Sequence, residues 1–449
     1  MTHSLSNIID FRKFSAPQKR VAIVGAGISG LSSAYHLHND FDVTVYEKQP
    51  HLGGHTDTHC FELEGKKVRI DSGFIIFCAE YYPHFCAMLD DLGVEAKPTD
   101  MSFSAFNQDT NIVYNATNLN KLFCDRKNIL KPRFWRMLSD IVRFYHRAPK
   151  DIANLKDHNL SVGEYLKALN FGPGFENDHL LPMISALWSA TPQRVKLFPI
   201  KHLVEFFQAH GLMKIIGRPQ WVVVKNGSAS YVEALHDQLQ VDWRIGANIS
   251  RIKRHDNRVE IVDDSGDTQE FDAIVLACHA DTSLSLLADA SRAERDILGA
   301  IPFEDNEVLV HTDESVMHSN KLSWASWNTY VPRAEDSNSL NCCTANYWMN
   351  SLQGLDLQTN VFTSLNSSQK IAENKILAKR NYSHPVFTAE SVAAQKRLYE
   401  INGERNTFHA GAFWGWGFHE DGARTAYQTS VLLNRQLNDF SGQSSYEAV

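Results

Sequence analysis

The sequence of 449 residues has few cysteines, and none of the seven belongs to a CxxC pair. A small, scattered set in a long chain is typical of a reducing compartment and of a fold without disulfides. No window approaches the ~18 consecutive apolar residues of a membrane-spanning helix, and no apolar segment of signal-peptide length stands near the N-terminus. These absences predict a cytoplasmic protein that contacts the inner face of the cell membrane at most peripherally.

Several catalytic and binding motifs are also missing. The 20 histidines are dispersed and form no HExxH or comparable cluster, which predicts that no metal is bound. The sequence GSAS at 227–230 does not match the GxSxG nucleophile elbow. The net charge of −8 argues against nucleic acid as a partner. The GPG sequence at 172–174 follows no strand pattern, so we interpret it as a turn and expect no second site for NADPH.

What the sequence does have is a cluster of glycines in VAIVGAGISG, residues 21–30, between an apolar strand pattern and a helix pattern. In a GxGxxG motif Gly25 permits the tight turn, Gly27 lets the backbone approach a pyrophosphate, and Gly30 lets helix and strand pack closely. The N-terminus of the helix offers N–H groups to the phosphates. Glu47, at the end of the next predicted strand, has the position of the acid that binds a ribose hydroxyl. The segment therefore predicts dinucleotide binding.

Two further segments carry a resemblance to a known superfamily. The sequence LGGH at 52–55 resembles the xxGGR/H signature of the flavin-containing amine oxidase, protoporphyrinogen oxidase and phytoene desaturase superfamily. FHAG at 408–411 and the glycine-rich 417–424 resemble the C-terminal FAD motif of that superfamily, and DSG at 71–73 falls where it has another part of the FAD domain. The resemblance implies that the cofactor is FAD. With the glycine motif, it predicts FAD contacts from Gly25, Gly27, Ile28, Ser29, Gly30, Glu47, Lys48, Gly53, Gly54, His55, Asp71, Gly73, Gly411, Gly417, Asp421, Gly422 and Ala423, although Asp421 also suits a helix N-cap.

A narrower resemblance covers about residues 20–435 and suggests a substrate. Segments such as KPRFWRML (131–138), LACHAD (276–281) and SHPVF (383–387) resemble bacterial predicted NAD/FAD-binding proteins related to the flavoprotein half of plant cyclopropane fatty acid synthases. That group is associated with modification of unsaturated and methylated fatty acyl chains, including furan fatty acid synthesis. The resemblance implies an FAD-dependent oxidoreductase that dehydrogenates or oxidises an unsaturated or methyl-branched acyl chain, in a phospholipid, with oxygen or a carrier taking the electrons.

Three other interpretations stay open at this point. The first is a redox-neutral, flavin-dependent fatty acid double-bond isomerase, in which the flavin returns the hydride to the same chain. The second is a non-catalytic flavin-binding partner of a fatty acyl methyltransferase. The third is an amine oxidase, but a basic, aromatic entrance suits a fatty chain better than it suits an amine.

The candidate residues for catalysis and substrate binding are mostly aromatic. His384 and His419 are the candidate bases, with Glu420 and Asp421 as rivals. Aromatic walls suit an apolar chain, because they bury a large area with few rotatable bonds, although each such residue could instead pack in the core. Arg218 could anchor a carboxylate or phosphate, or form a structural ion pair. The predicted substrate residues are Trp188, Arg218, Trp221, Trp324, Trp327, Trp414 and Trp416.

A basic segment, 131–147, has the composition of a membrane-surface helix. Apolar residues recur at helical spacing, while Arg133, Arg136, Arg143 and Arg147 line another face. We expect this face to meet anionic lipid headgroups. The alternative is a helix of the substrate domain whose basic side faces water.

The changes of pattern along the chain predict an α/β protein in which two domains are interleaved. We expect a Rossmann-like, doubly wound FAD-binding domain and an α+β substrate domain that is helical first and β-rich afterwards. The predicted FAD-binding segments are 20–115, 206–295 and 396–449, and the predicted substrate-domain segments are 116–205 and 296–395.

Overall fold

The computed structural model describes residues 18–155, 160–188, 190–333 and 343–438. The helices are α1 (Ile28–Leu37), α2 (Pro83–Asp91), α3 (Leu119–Leu122), α4 (Pro132–Ala153), α5 (Val162–Ala168), α6 (Pro173–Phe175), α7 (Leu181–Trp188), α8 (Pro192–Val195), α9 (Ile200–Ala209), α10 (Ala229–Gln238), α11 (Ala280–Leu286), α12 (Arg292–Leu298), α13 (Met349–Leu352), α14 (Ala389–Gln395) and α15 (His419–Asn438). The strands are β1 (Arg20–Val24), β2 (Asp42–Glu47), β3 (Thr58–Leu63), β4 (Lys66–Asp71), β5 (Ile76–Phe77), β6 (Ala96–Pro98), β7 (Phe103–Asn107), β8 (Ile112–Asn115), β9 (Val222–Val224), β10 (Asp242–Ile245), β11 (Ile249–Arg254), β12 (Val259–Asp263), β13 (Thr268–Phe271), β14 (Ala273–Leu276), β15 (Phe303–His311), β16 (Trp327–Val331), β17 (Thr344–Trp348), β18 (Phe362–Leu365), β19 (Ile376–Pro385) and β20 (Thr407–His409).

The first sheet is parallel and has the strand order β10-β2-β1-β14-β20. Successive side chains of a strand point to opposite faces, and β1 shows this clearly. Val21 and Ile23 pack in a core with α1, α2, α10 and α15, while Ala22 and Val24 pack on the other face with β11, β12 and α12. The sheet is therefore covered on both faces, as parallel sheets are.

The second sheet has seven strands in the order β19-β15-β18-β17-β16-β7-β8. Its pairs are antiparallel except for the parallel pair β16–β7. Helices α4 to α9 share a core with it, and α4 buries Phe134, Met137, Phe144 and Ala148 at helical spacing on that side.

The sheets correct two of the predicted segment boundaries. Strands β7 and β8 fall inside the predicted FAD-binding segment 20–115, yet β7 pairs with β16 of the second sheet. Helix α9 continues to Ala209, past the predicted boundary at residue 205, and packs with the helices of the second sheet.

The mixed α/β fold with a parallel, doubly wound sheet is confirmed. Chain segments cross between the two sheets several times, so residues distant in sequence meet where the sheets adjoin. Within the described ranges, no helix combines the length and apolar character that spanning a bilayer requires.

Candidate active site

The carboxyl ends of the five parallel strands meet at one edge of the first sheet. From β1 the chain goes to β2 on one side, whereas β14 lies on the other side. Open parallel sheets bind their ligands outside the carboxyl ends of the strands, at the point where the strand order changes direction in this way. Val24, Glu47 and Leu276 end the three central strands there.

Each of the three glycines in the GxGxxG motif, where β1 leads into α1, has a different local environment. Gly25 has a φ of +98°, and a Cβ on it would lie 2.9 Å from the carbonyl oxygen of Ala277. A Cβ on Gly30 would lie 1.8 Å from the carbonyl oxygen of Gly25, so only glycine allows α1 to pack so close to the turn. A Cβ on Gly27, the N-cap of α1, would meet no atom within 4 Å. Gly27 therefore faces open space beside the N–H groups of the first helical turn, which have no partner within the helix.

The N-terminus of α15 comes to the same place as that of α1. A Cβ on Gly422 would lie 2.6 Å from Cγ2 of Ile28 and 2.9 Å from Oγ of Ser29. On the opposite side, a Cβ on Gly54 would lie 3.0 Å from Cα of Gly27. The predicted contacts from three distant segments thus surround one cleft, which two positive helix ends face.

Glu47 is buried at the end of β2, and its carboxylate joins two loops. Oε2 accepts a hydrogen bond from the N–H of Ala26 (2.8 Å), and Oε1 accepts one from the N–H of Gln49 (2.8 Å). The N–H of Gly53 donates to the carbonyl oxygen of Ala26 (2.9 Å), so the two glycine loops are fixed to each other. Lys48, the neighbour of Glu47, is exposed. A carboxylate oxygen can accept more than one hydrogen bond, so this arrangement leaves Glu47 able to bind a ribose hydroxyl as predicted.

Two more of the predicted glycines bring backbone segments together. A Cβ on Gly73 would lie 2.0 Å from the carbonyl oxygen of His55, so the 71–73 turn needs glycine to contact the second glycine loop. Gly411, just past β20, donates its N–H to Oγ1 of Thr425 (3.1 Å), next to the buried Ala423 of α15.

The carboxylate of Asp71 is engaged within the protein, and its predicted contact with the cofactor stays a prediction. Its side chain is fully buried, and its carboxylate accepts hydrogen bonds from Thr58 Oγ1, from the N–H and Oγ of Ser228 (2.9 Å each), and from Nε2 of Gln353 (2.6 Å). Burial raises the pKa of Asp71 to about 6, although the hydrogen bonds of Thr58 and Ser228 act to lower it. Asp71 joins β4 to the turn before α10, which makes it a positioning residue.

Asp421 is the third residue of α15 and not its N-cap, and its carboxylate reaches back to the preceding loop. Oδ2 accepts hydrogen bonds from the N–H groups of Trp416 (2.9 Å) and Phe418 (3.2 Å), while Oδ1 accepts one from Arg424 (2.9 Å). Gly417, between the two donors, has a φ of +88°. The carboxylate therefore holds the tail loop against the start of α15.

His419 lies inside the protein, where polar and aromatic side chains contact it. Its Nε2 lies 2.9 Å from Oγ1 of Thr56 and 3.1 Å from the hydroxyl of Tyr231, and its ring stacks on Phe74 with centroids 3.4 Å apart. Burial lowers the pKa of His419 to about 3, so the imidazole is neutral. One ring face and Nε2 of His419 are thus engaged inside the protein, and its role as a base stays a prediction.

The other candidate base, His384, belongs to a cluster of histidines. Its ring stacks on that of His55 (centroids 5.3 Å apart), and the ring of His55 lies 6.1 Å from that of His279 and 4.9 Å from Tyr382. Asn306 Nδ2 lies 3.2 Å from Nδ1 of His384. Burial, with the charge of neighbouring histidines, lowers the pKa of His384 to about 4 and that of His55 well below its usual value. The cluster is therefore neutral near pH 7.

Sequence reasoning overlooked two members of this cluster. Tyr382 stands two residues before His384 in β19. Side chains two apart in a strand share a face, so the sequence indicates that Tyr382 lies beside His384. His279 stands in the LACHAD segment just after β14, at the carboxyl edge of the first sheet. That position in the fold is the signal that indicates a site residue.

Of the seven predicted substrate residues, Trp188 and Trp416 come together. Nε1 of Trp188 donates to the carbonyl oxygen of Trp416 (3.1 Å), which ties α7 to the tail loop. Around this contact, Trp188 lies 4.8 Å from Phe206 and 5.6 Å from Phe387 between ring centroids. A small cavity opens beside Trp188, lined by Trp188, Ala190, Phe198, Glu304, Asn306, His384, Pro385, Val386 and Phe387. Glu304 is paired with Arg194.

The remaining substrate candidates lie elsewhere. Trp324 packs on the far face of the second sheet, where its Nε1 donates to the carbonyl oxygen of His318 (2.7 Å). Trp327 is buried between that sheet and its helices, and Trp414 is buried in the core under β1 and β14. Trp221 is half-buried before β9, and Arg218 is exposed. Aromatic residue type alone did not distinguish these core positions from the cavity wall.

The arginines of the predicted basic face of α4 form ion pairs within the protein. Nε of Arg133 lies 2.6 Å from Oδ2 of the buried Asp178. Arg136 and Arg143 flank the buried Asp140, at 3.5 and 2.9 Å. Arg147 pairs with Asp151 at 3.0 Å. Arg133, Arg136 and Arg143 also join α4 to residues 170–173, and the predicted contact of 131–147 with lipid stays a prediction.

The cleft fits a dinucleotide. The Cβ position of Gly27 is open, two helix N-termini face the cleft, and Nε2 of His55 is buried with no hydrogen-bond partner among the described residues. A pyrophosphate with neighbouring polar groups would satisfy these donors and acceptors. In the described part of the chain, no group of three or more histidine, cysteine or acidic side chains is placed to hold a metal. Fold and site together define a dinucleotide-binding protein of the doubly wound class.

Comparison with known proteins identifies the family. The model of the family described as flavin containing amine oxidoreductase matches residues 28–354. The chain therefore belongs to that family, whose cofactor is FAD and whose chemistry is oxidoreduction, and the prediction of FAD is confirmed. The cleft around Gly27 is the place where the described residues can hold it.

Individual relatives show the same fold with low identity. A CLA-producing fatty acid isomerase from P. acnes is 19% identical over 94% of this chain and 99% of its own, with a TM-score of 0.65. Cyclohexylamine oxidase from Brevibacterium oxydans IH-35A is 16% identical over 94% of this chain and 100% of its own, with a TM-score of 0.69. Carotenoid phi-ring synthase from Chlorobaculum tepidum is 37% identical over 71 residues, which are 16% of this chain and only 11% of that relative.

Proposed function

We propose that this chain is an FAD-dependent oxidoreductase that acts on an unsaturated or methyl-branched fatty acyl chain. The observation that carries the proposal is the largely aromatic cavity between α7, β15 and β19, with Trp188, Phe198 and Phe387 in its wall. Similar folds serve both a fatty acid isomerase and amine oxidases, so the fold does not choose the substrate. The side chains of the cavity are the basis of the choice.

The cavity suits an apolar chain better than a charged molecule. Trp188, Phe198 and Phe387 supply large apolar surfaces with few rotatable bonds. Burial lowers the pKa of His202, beside this wall, to about 4, and His384 is neutral for the same reason. The single carboxylate of the lining, Glu304, is neutralised by Arg194.

The expected division of labour follows from these positions. FAD, when bound in the cleft, supplies the acceptor for a hydride equivalent from the acyl chain, and dioxygen or an electron carrier is the final oxidant. Trp188 and Phe387 orient the chain. His384, neutral and in the cavity wall, accepts the second hydrogen as a proton, and Asn306 holds its ring.

Product analysis tests the proposal. The FAD-loaded protein is incubated with phospholipid vesicles that carry cis-unsaturated or methyl-branched long chains, with and without air, and the released acyl chains are analysed by mass spectrometry. Loss of two hydrogens or gain of oxygen supports oxidation. Unchanged mass with altered chromatographic retention identifies the isomerase instead, and turnover of aliphatic amines alone contradicts the proposal.

A matched pair of variants tests the cavity itself. His384→Gln should lower turnover at least a hundredfold, as loss of a general base does, while the FAD content stays unchanged. His236→Gln, the same change at an exposed histidine of α10, should have no effect. Equal turnover in both variants would exclude His384 as the base.

A further inference from the structure

An exposed surface at the start of the helical region has no role in the proposed reaction. It comprises α3, the turn that follows and the first residues of α4, and we call it the α3–α4 surface. Large apolar side chains stand out from it into solvent, with Leu119 75%, Leu130 84% and Trp135 51% exposed. Ile129 is 46% exposed beside them. Exposed apolar groups scattered singly are normal in proteins, but a contiguous group marks an interaction site.

Hydrogen bonds and a ring contact hold the α3–α4 surface in place. Nε1 of Trp135 donates to the carbonyl oxygen of Ile129 (2.8 Å), which fixes the turn to α4. The ring of Trp135 also lies 5.5 Å from that of Phe123. Asn128, buried within the turn, donates to the carbonyl oxygen of Val113 (2.8 Å). The apolar side chains are therefore held outward by a supported turn.

Positive charge surrounds these apolar groups. Residues 118–131 contain four cations, Lys121, Arg126, Lys127 and Lys131, against one carboxylate, Asp125. None of the four forms an ion pair among the described residues; Arg126 donates to Asn120, and Lys131 donates to the carbonyl oxygen of Asn111 (2.7 Å). The arginines further along α4 differ in this respect, because Arg133, Arg136 and Arg143 are paired with buried carboxylates.

We propose that the α3–α4 surface binds an anionic phospholipid bilayer. The chain as a whole has a net charge of −8, which repels anionic partners. A local excess of cations is therefore what attracts an anionic partner to this surface. Lipid headgroups supply that charge, and the hydrocarbon below them accepts leucine, isoleucine and tryptophan side chains, with tryptophan at the boundary. A polyanion without an apolar layer would leave Leu119 and Leu130 in water. The proposal concerns binding, and its test does not depend on which acyl reaction is catalysed.

Vesicle sedimentation of the FAD-loaded protein tests the proposal. The protein should sediment with phosphatidylcholine vesicles that contain phosphatidylglycerol, bind less as salt rises, and stay in solution with phosphatidylcholine alone. Each cation near an anionic surface contributes about 1 kcal/mol, so Arg126→Glu with Lys127→Glu should weaken binding about thirtyfold or more. Arg251→Glu with Lys253→Glu, on the exposed side of β11, makes the same charge change and should not weaken it.

Two further variants separate the lipid surface from a purely ionic contact. Leu130→Asn should weaken vesicle binding several-fold at unchanged thermal stability, whereas Tyr399→Asn, at a side chain 78% exposed elsewhere, should not. The tryptophan fluorescence should shift to shorter wavelength on vesicle binding, and Trp135→Phe should abolish that shift. The proposal is overturned if wild-type protein does not bind anionic vesicles, or binds an acidic protein instead. Equal loss of vesicle binding in the α3–α4 surface variants and their controls would also overturn it.

Discussion

Replacing Gly27 by valine should remove FAD and leave the fold intact. Gly27 has a φ of −75°, which valine can adopt, and a Cβ there would meet no protein atom within 4 Å. The side chain would instead project into the cleft between the N-termini of α1 and α15, where we place the pyrophosphate. Since Gly27 is the N-cap of α1, the change should cost the apoprotein only about 1 kcal/mol.

The effect on FAD binding should be much larger. A valine side chain in the cleft would prevent at least two hydrogen bonds from backbone N–H groups to phosphate, each worth about 1.5–3 kcal/mol because the acceptor is charged. The loss of about 3–6 kcal/mol corresponds to a roughly hundredfold to ten-thousandfold weaker Kd.

Titration of apoprotein with FAD, followed by flavin fluorescence, measures this loss, and urea unfolding of the apoprotein measures stability. Gly30→Ala is the contrasting variant, because its Cβ would lie 1.8 Å from the carbonyl oxygen of Gly25 and should lower the free energy of unfolding by about 1–3 kcal/mol. A Gly27→Val protein that binds FAD normally would refute the position of the pyrophosphate. So would a loss of unfolding free energy well above about 1 kcal/mol in the Gly27→Val apoprotein, because the side chain would then meet protein rather than open space.

Three other predictions concern stability and electron flow. Burial lowers the pKa of His311 and His409 to about 4 each, so the folded state holds them neutral; stability should be full above pH 6.5 and fall by about 2 kcal/mol per residue at pH 5, as urea unfolding across pH would show. Arg133→Gln should lower the unfolding free energy by about 1–3 kcal/mol, because it leaves the buried Asp178 unpaired, whereas Lys127→Gln should change it by less than about 0.5 kcal/mol. NADPH added without air should leave the flavin absorbance unchanged, and rapid bleaching would reveal a nucleotide site that we have not recognised.

The parts of the site that were predictable from the sequence are those set by local backbone geometry. Gly25 and Gly30 are required by a turn and a close approach within six residues, so their spacing alone identified the cleft. Gly422 could be assigned only through the resemblance, because its reason is contact with Ile28 nearly four hundred residues earlier. The resemblance to the flavin-containing superfamily is confirmed by the family match.

Sequence reasoning was least informative where the partner of a residue is distant in the chain. Asp71 suits a cofactor contact until Ser228 and Gln353 are seen to occupy its carboxylate. Trp324 is compatible with a cavity wall until it is seen to pack with Leu309 and Phe362 of the second sheet, away from the cavity. The pairing of Arg136 with Asp140, four residues later on one helix, is visible in the sequence and indicates that part of the positive charge of α4 is paired within the helix.

The substrate class is tested most directly by the flavin itself. FAD-loaded protein is mixed without air with phospholipid vesicles that carry unsaturated or methyl-branched chains, and separately with an aliphatic amine, while the flavin absorbance is recorded. The aromatic, neutral cavity beside Trp188 predicts that the acyl chains bleach the flavin, that admitted air restores its colour, and that the amine has no effect. Bleaching by the amine, with no response to any acyl chain, would contradict the account.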